Sequence, residues 1–440
     1  MSDLHLSKTP AEKTFLVGAQ VRGSRPLFSL EDSLSELKKL AETAGMEVVG
    51  EATQMLHKIE PATFIGSGKI EEIKEEIEFT DAKVIVFDDE LSPRHQRELE
   101  KRFGEEIKVL DRSALILDIF AQHAQTREGT LQVELAQYEY RLPRLTRQWT
   151  HLARQAGGSG SSGGVGLRGP GETQLEVDRR EIGRKITKLK TDLEQVRQHR
   201  GRHRAHRSRV GIPVVALVGY TNAGKSTVLR TLTDTDVYVA DKLFATLDPT
   251  TRRVNLPSGR QVLLTDTVGF IQKLPTSLIA AFRATLEEVT KADLLLHVVD
   301  VSHPNVLEHI EAVEDTLAEI DTPDVSKLLV LNKIDRLSGG LTEIDTTIRN
   351  AVSNYDNQLQ ITALKRQGID ELLKAIEETL SQEHLSIELL IPYDRGDLTS
   401  QLFEEATVEL HEHKENGVLL TVQLPRTLWE RFKNYQVEYN

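Results

Sequence analysis

Residues 219–226 read Gly-Tyr-Thr-Asn-Ala-Gly-Lys-Ser and fit G-x-x-x-x-G-K-[ST], the pattern of a phosphate-binding P-loop. The apolar run Val214–Val218 before it is typical of a buried strand, and Thr227–Leu232 after it is typical of the start of a helix. In this arrangement the glycines let backbone N–H groups turn toward an anion, and the helix N-terminus adds partial positive charge. The context therefore favours a phosphate site over an ordinary glycine-rich turn. The predicted phosphate-binding residues are Gly219, Tyr220, Thr221, Asn222, Ala223, Gly224, Lys225, Ser226 and Thr227.

Three stretches downstream, each after an apolar run, indicate that the base of the nucleotide is guanine. Asp266–Gly269 is D-x-x-G, in which the Asp266 carboxylate can hold Mg²⁺ through water and the Gly269 N–H can sense a γ-phosphate. Asn332–Asp335 is N-K-x-D, whose last carboxylate can accept bonds from guanine N1–H and the exocyclic amine, a donor pair that adenine lacks. A backbone N–H within Thr362–Leu364 could bind guanine O6. The residues predicted from these stretches are Asp266, Thr267, Val268, Gly269, Asn332, Lys333, Ile334, Asp335, Thr362, Ala363 and Leu364.

The switch segment of this nucleotide domain is predicted between the P-loop and D-x-x-G. Such a segment must offer a threonine hydroxyl to Mg²⁺ and a backbone N–H to the γ-phosphate, and must let go after hydrolysis. Thr246 is the candidate, and spacing alone leaves Thr250 and Thr251 open. The predicted segment contributes Phe244, Ala245, Thr246, Leu247 and Asp248 to the nucleotide site, and the predicted metal ligands are Ser226, Thr246 and Asp266.

The residue after D-x-x-G bears on the rate of hydrolysis. Ras-like enzymes place a water-orienting Gln there, whereas this chain has Phe270, whose ring cannot orient a nucleophilic water. We therefore name no catalytic residue, and we expect slow intrinsic hydrolysis that a partner accelerates.

Composition sets broad limits on the class of protein. The chain has 440 residues, enough for two to four domains, with 39% hydrophobic and 28% charged residues. It contains no cysteine, which excludes disulfides and thiolate metal sites. Its polar N-terminus and the lack of any 18-residue apolar run predict a cytoplasmic protein without a membrane span. A formal charge of −13 argues against general nucleic-acid binding by the whole surface.

Residues 14–111 follow a predicted flexible N-terminus, residues 1–13, and alternate strand-like and helix-like segments. This alternation predicts a small parallel α/β domain. Ile65–Lys69 resembles a P-loop, but position 63 is Thr and Ile70 lacks a hydroxyl, so we interpret it as a turn before a helix. The acidic run Asp88–Glu90 favours a solvated strand-to-helix turn over a metal cluster.

Residues 112–209 predict a basic helical hairpin interrupted by a Gly-rich loop at 156–172. A predicted Leu115–Tyr140 helix is expected to pack antiparallel to a long helix whose apolar seam is Leu175, Ile182, Ile186, Leu189, Leu193 and Val196. Residues 179–209 carry twelve Lys and Arg against three acids, a net of +9 in a chain that totals −13. We favour a phosphate-backbone contact over a merely solvated face, and a binding loop over a plain linker. The predicted RNA-binding residues are Arg141, Arg144, Arg147, Arg168, Arg179, Arg180, Arg184 and Lys185.

The predicted fold is thus α/β: a P-loop GTPase domain at 210–381, preceded by the small parallel α/β domain with its helical hairpin, and followed by a small α/β module at 386–440. Together the P-loop, N-K-x-D, D-T-V-G, basic hairpin and Gly-rich loop resemble the HflX family of translational GTPases. The stretches most particular to that family are Phe244–Thr250 and Gly169–Glu176.

The resemblance implies a GTP/GDP-binding hydrolase that associates with the large ribosomal subunit and its RNA and separates stalled or idle ribosomes under stress. By the same analogy the Gly-rich loop would reach toward the peptidyl-transferase region, and Thr246 would be the switch threonine. Mg²⁺ is the expected cofactor of the predicted ligands Ser226, Thr246 and Asp266, and in related GTPases an Asn at the position of Asn222 helps to hold K⁺. Family members have been credited with ATP hydrolysis by the N-domain, but this N-domain has no complete phosphate motif. We expect a monomer when free.

Two other classes remain open. A GTPase associated with RNA or tRNA modification would normally need a nucleophilic Cys or a cofactor pocket, and the chain has no Cys. A regulatory GTPase with a protein partner would use the basic hairpin only as a solvated face. Steep salt dependence of RNA binding would distinguish nucleic-acid contact from a protein-only partner.

Overall fold

The computed structural model describes residues 11–145, 170–208, 212–233, 243–274, 288–320, 325–337, 357–437 and positions 348, 352 and 355. It confirms the α/β class, with two mainly parallel sheets and one small antiparallel sheet. The described chain divides into two compact units. The first comprises the described parts of Met1–Leu193, Ala240–Asp248 and Ile271–Arg283, and the second those of Glu194–Val239, Pro249–Phe270 and Ala284–Asn440.

The first unit contains a four-stranded parallel sheet in the order β2-β1-β3-β4. Its strands are β1 Lys13–Val21, β2 Glu47–Leu56, β3 Val84–Phe87 and β4 Lys108–Asp111. The central strand β3 is buried along its whole length, as expected of a parallel strand covered on both faces. Helices α1 Leu30–Thr43 and α4 Arg112–His123 pack together, while α2 Ser67–Thr80 and α3 Pro93–Phe103 share a separate core with the sheet.

The first unit also contains two helices of the predicted hairpin, α5 Arg127–Arg141 and the start of α6 Pro170–Ser208. Leu189 and Leu193 of the predicted seam are buried against Leu135 of α5. The single Leu115–Tyr140 helix that the sequence predicts is wrong, because α4 ends at His123 and α5 begins at Arg127. Thr126 caps the new helix start by accepting a hydrogen bond from the Gly129 N–H at 3.0 Å.

The predicted solvated turn at Asp88–Glu90 is wrong for Asp88, whose side chain is fully buried. Arg112 Nη1 donates to Asp88 Oδ1 at 2.6 Å, and Ser33 Oγ donates to Asp88 Oδ2 at 2.6 Å. Lys273 Nζ lies 2.5 Å from Asp88 and 2.7 Å from Asp89. Among the described residues no cluster of three or more His, Asp or Glu is arranged to hold a metal ion. Asp88 and Asp89 therefore belong to an ion-pair network, whereas Glu90 is exposed as predicted.

The second unit contains a six-stranded sheet in the order β10-β9-β8-β5-β7-β6. Its strands are β5 Val214–Val218, β6 Thr250–Asn255, β7 Gln261–Asp266, β8 Leu294–Asp300, β9 Lys327–Asn332 and β10 Asn357–Gln360. All pairings are parallel except that of β6 with β7. The helices of this part are α7 Lys225–Thr233, α8 Val306–Glu319 and α9 Ile369–Glu383. Because neighbouring parallel strands end at the same edge, the segments after β5, β8 and β9 are brought together there.

The C-terminal part of the second unit is an antiparallel sheet in the order β11-β13-β12, formed by His384–Ile391, Gly417–Pro425 and Thr407–Lys414. Helices α10 Gly396–Glu405 and α11 Arg426–Phe432 pack on this sheet, and a core that includes Leu389, Leu420 and Phe432 is fully buried. None of the helices described is both long and apolar enough to cross a bilayer.

Candidate nucleotide-binding site

The P-loop turns between β5 and α7 with a backbone that requires glycine at two positions. Gly219 has φ +148°, and a Cβ there would lie 2.2 Å from the Val298 carbonyl oxygen. Gly224 has φ +102°, and its Cβ would lie 2.3 Å from Asn332 Nδ2. Neither contact is sterically possible, so both glycines are required by close approach as well as by conformation.

Lys225 is buried at the first turn of α7. Its Nζ donates to the carbonyl oxygens of Gly219 at 3.0 Å and Tyr220 at 2.9 Å. Burial lowers the pKa of Lys225 to about 8, with Lys333 adding to this and Asp266 opposing it. A lysine held this way is a compact positive charge directly under the loop, as phosphate binding requires.

Two of the three predicted metal ligands lie together at the start of α7 and the end of β7. Ser226 Oγ donates to Asp266 Oδ2 at 2.6 Å, and Asp266 is fully buried. A hydroxyl and a carboxylate oxygen side by side are donors that Mg²⁺ accepts. Thr246, the third predicted ligand, belongs to the first unit.

The D-x-x-G stretch contacts the P-loop directly. A Cβ on Gly269 would lie 2.9 Å from Thr221 Cα and 3.0 Å from Lys225 Nζ. The next residue, Phe270, is 2% exposed. Its N–H donates to the Gly219 carbonyl at 3.1 Å, and its carbonyl accepts from the Thr221 N–H at 2.8 Å. The backbone after D-x-x-G is thus hydrogen-bonded to the loop, and the Phe270 ring is buried.

Asn332 connects the P-loop with the stretch 362–364. Its Nδ2 donates to the Ala223 carbonyl at 3.0 Å, and its Oδ1 accepts from the Ala363 N–H at 3.1 Å. Asp335 pairs with Lys365 at 3.2 Å. Thr362 and Ala363 are buried, whereas the Leu364 side chain is 72% exposed. The four stretches that the sequence singles out therefore meet at one edge of the sheet.

Asp300 is a member of this site that the sequence analysis missed. It ends β8, and its carboxylate accepts from Lys333 Nζ at 2.7 Å, while the same ammonium also donates to the Asn222 carbonyl at 2.8 Å. Burial raises the pKa of Asp300, but the hydrogen bonds from Lys333 and Ser302 outweigh it, so the pKa lies below its usual value. The sequence could have indicated Asp300, because it ends an apolar run that lies between two strands ending in nucleotide motifs.

Tyr220 also has a partner that the sequence did not indicate. Its ring is 4% exposed and stacks on His309 of α8, with ring centroids 3.9 Å apart and planes inclined by 9°. This stacking holds the second residue of the P-loop against the sheet's neighbouring helix.

The predicted RNA-binding residues differ in their surroundings. Arg179, Arg180, Arg184 and Lys185 are exposed on α6, and Arg141 is exposed at the end of α5. Arg144 has a structural role that was not predicted: its guanidinium stacks 3.5 Å from the Tyr140 ring centroid and donates to the Leu91 carbonyl at 2.6 Å. Arg147 and Arg168 lie outside the described residues.

Four family models match successive parts of the chain. Their descriptions are GTP-binding GTPase N-terminal at residues 31–121, GTP-binding GTPase Middle Region at 123–207, 50S ribosome-binding GTPase at 214–333 and HflX C-terminal domain at 345–431. The last of these covers the C-terminal segment for which the sequence analysis assigned no function.

Several known proteins are similar to this chain over most of its length. GTPase HflX of Caldanaerobacter subterraneus subsp. tengcongensis is 46% identical over 405 residues, 92% of this chain and 90% of that protein. GTPase HflX of Escherichia coli is 44% identical over 401 residues, 91% of each. A crystal structure of a GTP-binding protein from Sulfolobus solfataricus in complex with GDP is 24% identical with a TM-score of 0.44, covering 84% of this chain and 99% of that one.

Proposed function

The chain belongs to the HflX family and is a GTP hydrolase; from this premise we propose that it binds the large ribosomal subunit and uses GTP to separate stalled or idle ribosomes under stress. One observation carries the nucleotide half of the proposal. The P-loop, D-x-x-G, N-K-x-D and residues 362–364 lie at one sheet edge, so one guanine nucleotide could contact all four. Asn332 of N-K-x-D bonds to the P-loop and to residues 362–364, and the Phe270 backbone after D-x-x-G bonds to the P-loop.

Mg²⁺ is the proposed cofactor, held by Ser226 and Asp266 with Thr246 from the switch segment. The 2.6 Å contact between the Ser226 hydroxyl and the Asp266 carboxylate fits adjacent oxygen ligands of one ion. When bound, Mg²⁺ would neutralise developing charge on the phosphates. Lys225 would supply a second positive charge, and the Gly269 N–H would donate a hydrogen bond to the γ-phosphate. K⁺ near Asn222 is proposed as a further cation.

Intrinsic hydrolysis is expected to be slow because Phe270 offers no polar group to a water. The buried ring and the two backbone hydrogen bonds to the P-loop support this proposal. Acceleration then requires a partner that positions the water or the switch segment, and the ribosome is the proposed partner.

The exposed basic residues of α6 are the proposed ribosomal RNA contact. Arg179, Arg180 and Arg184 lie on one helix and are exposed, and Lys185 lies 5.4 Å from the Tyr138 ring centroid with its charge available to solvent. Contacts of this kind release counterions, so affinity should fall steeply with salt.

The test is sedimentation of the protein with large subunits and with whole ribosomes, with a non-hydrolysable GTP analogue or with GDP. We expect the protein to sediment with large subunits when the analogue is bound and to do so little with GDP. We also expect the light scattering of whole ribosomes to fall when GTP is added with the protein. Equal sedimentation with both nucleotides would contradict the proposed dependence of ribosome binding on GTP.

A matched pair of variants tests the RNA surface. Arg180→Gln with Arg184→Gln should weaken ribosome binding and lower the salt slope by roughly 0.7–0.9 log per log for each phosphate contact removed. Lys101→Gln with Lys108→Gln, which removes two exposed charges from the N-terminal sheet and its helix, should change neither quantity. If both double variants leave ribosome affinity and salt slope unchanged, the basic face of α6 is only solvated, and a protein partner becomes the better hypothesis.

A further inference from the structure

Residues 243–248 contain the proposed switch threonine and belong to the first unit, where the Phe244 ring contacts Phe120. Leu243, Phe244 and Leu247 are 6%, 2% and 3% exposed. The Phe244 ring meets Phe120 of α4 edge to face, with centroids 4.6 Å apart, and Phe244 adopts the left-handed backbone region at φ 55°. A non-glycine residue stays in that region only where its surroundings hold it there.

Asp248 adds a polar anchor at the end of the same segment. Its Oδ2 accepts hydrogen bonds from the Gln125 N–H and the Thr126 N–H, both at 2.8 Å, and its Oδ1 accepts from the Thr126 hydroxyl. These donors stand at the break between α4 and α5, where a carboxylate meets the positive end of a helix. The Thr126 N–H is among the groups that α5 leaves without a helical partner, and the carboxylate supplies an acceptor for it.

Gly129 shows that this anchor is closely fitted. A Cβ at position 129 would lie 2.3 Å from Asp248 Oδ1. Gly129 lies within α5, so its backbone does not itself require glycine. The nearest obstacle to alanine there is the Asp248 carboxylate, and the Thr126 Oγ follows at 3.3 Å. One carboxylate fits at this break between α4 and α5, which we call the α4–α5 socket. The socket consists of the N–H groups of residues 125 and 126, the Thr126 hydroxyl and the space left by the missing side chain at Gly129.

We infer that Asp248 is a positioning residue for GTP: by fixing the end of the segment in the α4–α5 socket, it keeps Thr246 in the conformation that the triphosphate state uses. The inference rests on the proposed role of Thr246. GDP makes no demand on this threonine, whereas GTP with Mg²⁺ does. A freed segment must be ordered by the nucleotide itself, which lowers affinity for GTP and leaves affinity for GDP unchanged.

The experiment compares Kd values of a non-hydrolysable GTP analogue and of GDP, both with Mg²⁺, for the full chain and four variants. Asp248→Ala removes the carboxylate, and Gly129→Ala blocks its place while favouring the helix. Each should raise the analogue Kd about tenfold, as expected for a lost charged hydrogen bond, and should leave the GDP Kd within about twofold. Gly183→Ala is the matched control, because nothing lies within 4 Å of its added Cβ on α6, and it should change neither Kd.

Thr246→Val tests the switch role of Thr246 separately from the positioning role of Asp248. If Thr246→Val leaves the analogue Kd unchanged, the proposed switch role of Thr246 fails. If Thr246→Val weakens the analogue but Asp248→Ala and Gly129→Ala do not, only the positioning role fails. A tighter analogue Kd in the two anchor variants would also overturn it, because the socket would then restrain the segment from GTP rather than present it.

Discussion

Asn332→Ala is the substitution whose effect follows most directly from the structure. The side chain is 2% exposed and makes two hydrogen bonds to the backbone of two different loops, at Ala223 and Ala363. A buried hydrogen bond contributes about 1 kcal/mol net, and an unsatisfied buried partner costs about 1–3 kcal/mol. Water entering the space left by the amide recovers part of that cost. We therefore expect a loss of about 2–4 kcal/mol in the free energy of unfolding of the nucleotide domain.

Nucleotide affinity should fall as well, because the P-loop and residues 362–364 would no longer be pre-aligned. We expect the Kd for GDP to rise by at least about tenfold, the equivalent of roughly 1.4 kcal/mol. Fluorescence titration with a labelled GDP measures the affinity, and thermal melting with and without saturating GDP measures the stability.

Asn332→Asp is the sharper variant because it keeps the shape. Its carboxylate could still accept from the Ala363 N–H, but it would turn a second acceptor toward the Ala223 carbonyl and bury a charge. It should be at least as damaging as alanine. The control Asn255→Ala removes an exposed side chain whose contact is a 3.3 Å hydrogen bond from Gln261, and should cost less than about 0.5 kcal/mol. GDP binding by Asn332→Asp within twofold of the parent would refute the reasoning.

Three further predictions follow from the same geometry. Gly224→Ala, whose Cβ would lie 2.3 Å from Asn332 Nδ2, should raise the GDP Kd by at least about tenfold in titration calorimetry. Lys273→Met should lower the free energy of unfolding of the first unit in urea by about 1–2 kcal/mol at pH 7, because Asp88 and Asp89 lose a cation that is itself one-third exposed. Turnover of GTP should be faster in KCl than in NaCl at equal ionic strength if Asn222 helps to hold K⁺.

Each of these has its own contrary outcome. Gly183→Ala is the glycine control, and equal GDP affinity in both glycine variants would mean that the P-loop tolerates a Cβ.

Burial raises the pKa of Asp88, but Arg112, Lys273 and Ser33 outweigh it, so the pKa is low in the folded state. Its stabilisation is present above the unfolded pKa of about 3.9 and is lost as pH falls through the lower folded value. The loss in free energy of unfolding caused by Lys273→Met should therefore become smaller in acid. A loss that does not change with pH would contradict the proposed ion pair with Asp88. Equal rates in the two salts would remove the K⁺ proposal.

The local sequence pattern by itself determined the fold class and the nucleotide-binding motifs of this protein. The apolar runs before Gly219 and Asn332 are continuous because parallel strands are buried on both faces, and the alternation over residues 14–111 has the period of strands and helices. The glycine spacing of the P-loop reflects a backbone constraint within a few residues. These features depend on neighbours in sequence, so the fold class and the guanine-nucleotide motifs could be predicted from the residues in order.

Contacts between distant residues decided the rest. The sequence indicated a solvated Asp88, but Arg112 and Lys273 reach it from positions 24 and 185 residues away. Strand order places Asp300 at the nucleotide site. The helix break before α5 supplies the N–H groups that bind Asp248, which lies 123 and 122 residues away from them in sequence. The segment around Thr246 belongs to the N-terminal unit, where Phe244 contacts Phe120 of α4 and Asp248 binds the N–H groups of residues 125 and 126, between α4 and α5. Such partners are set by how the chain packs, and no pattern within residues 243–248 could have named them.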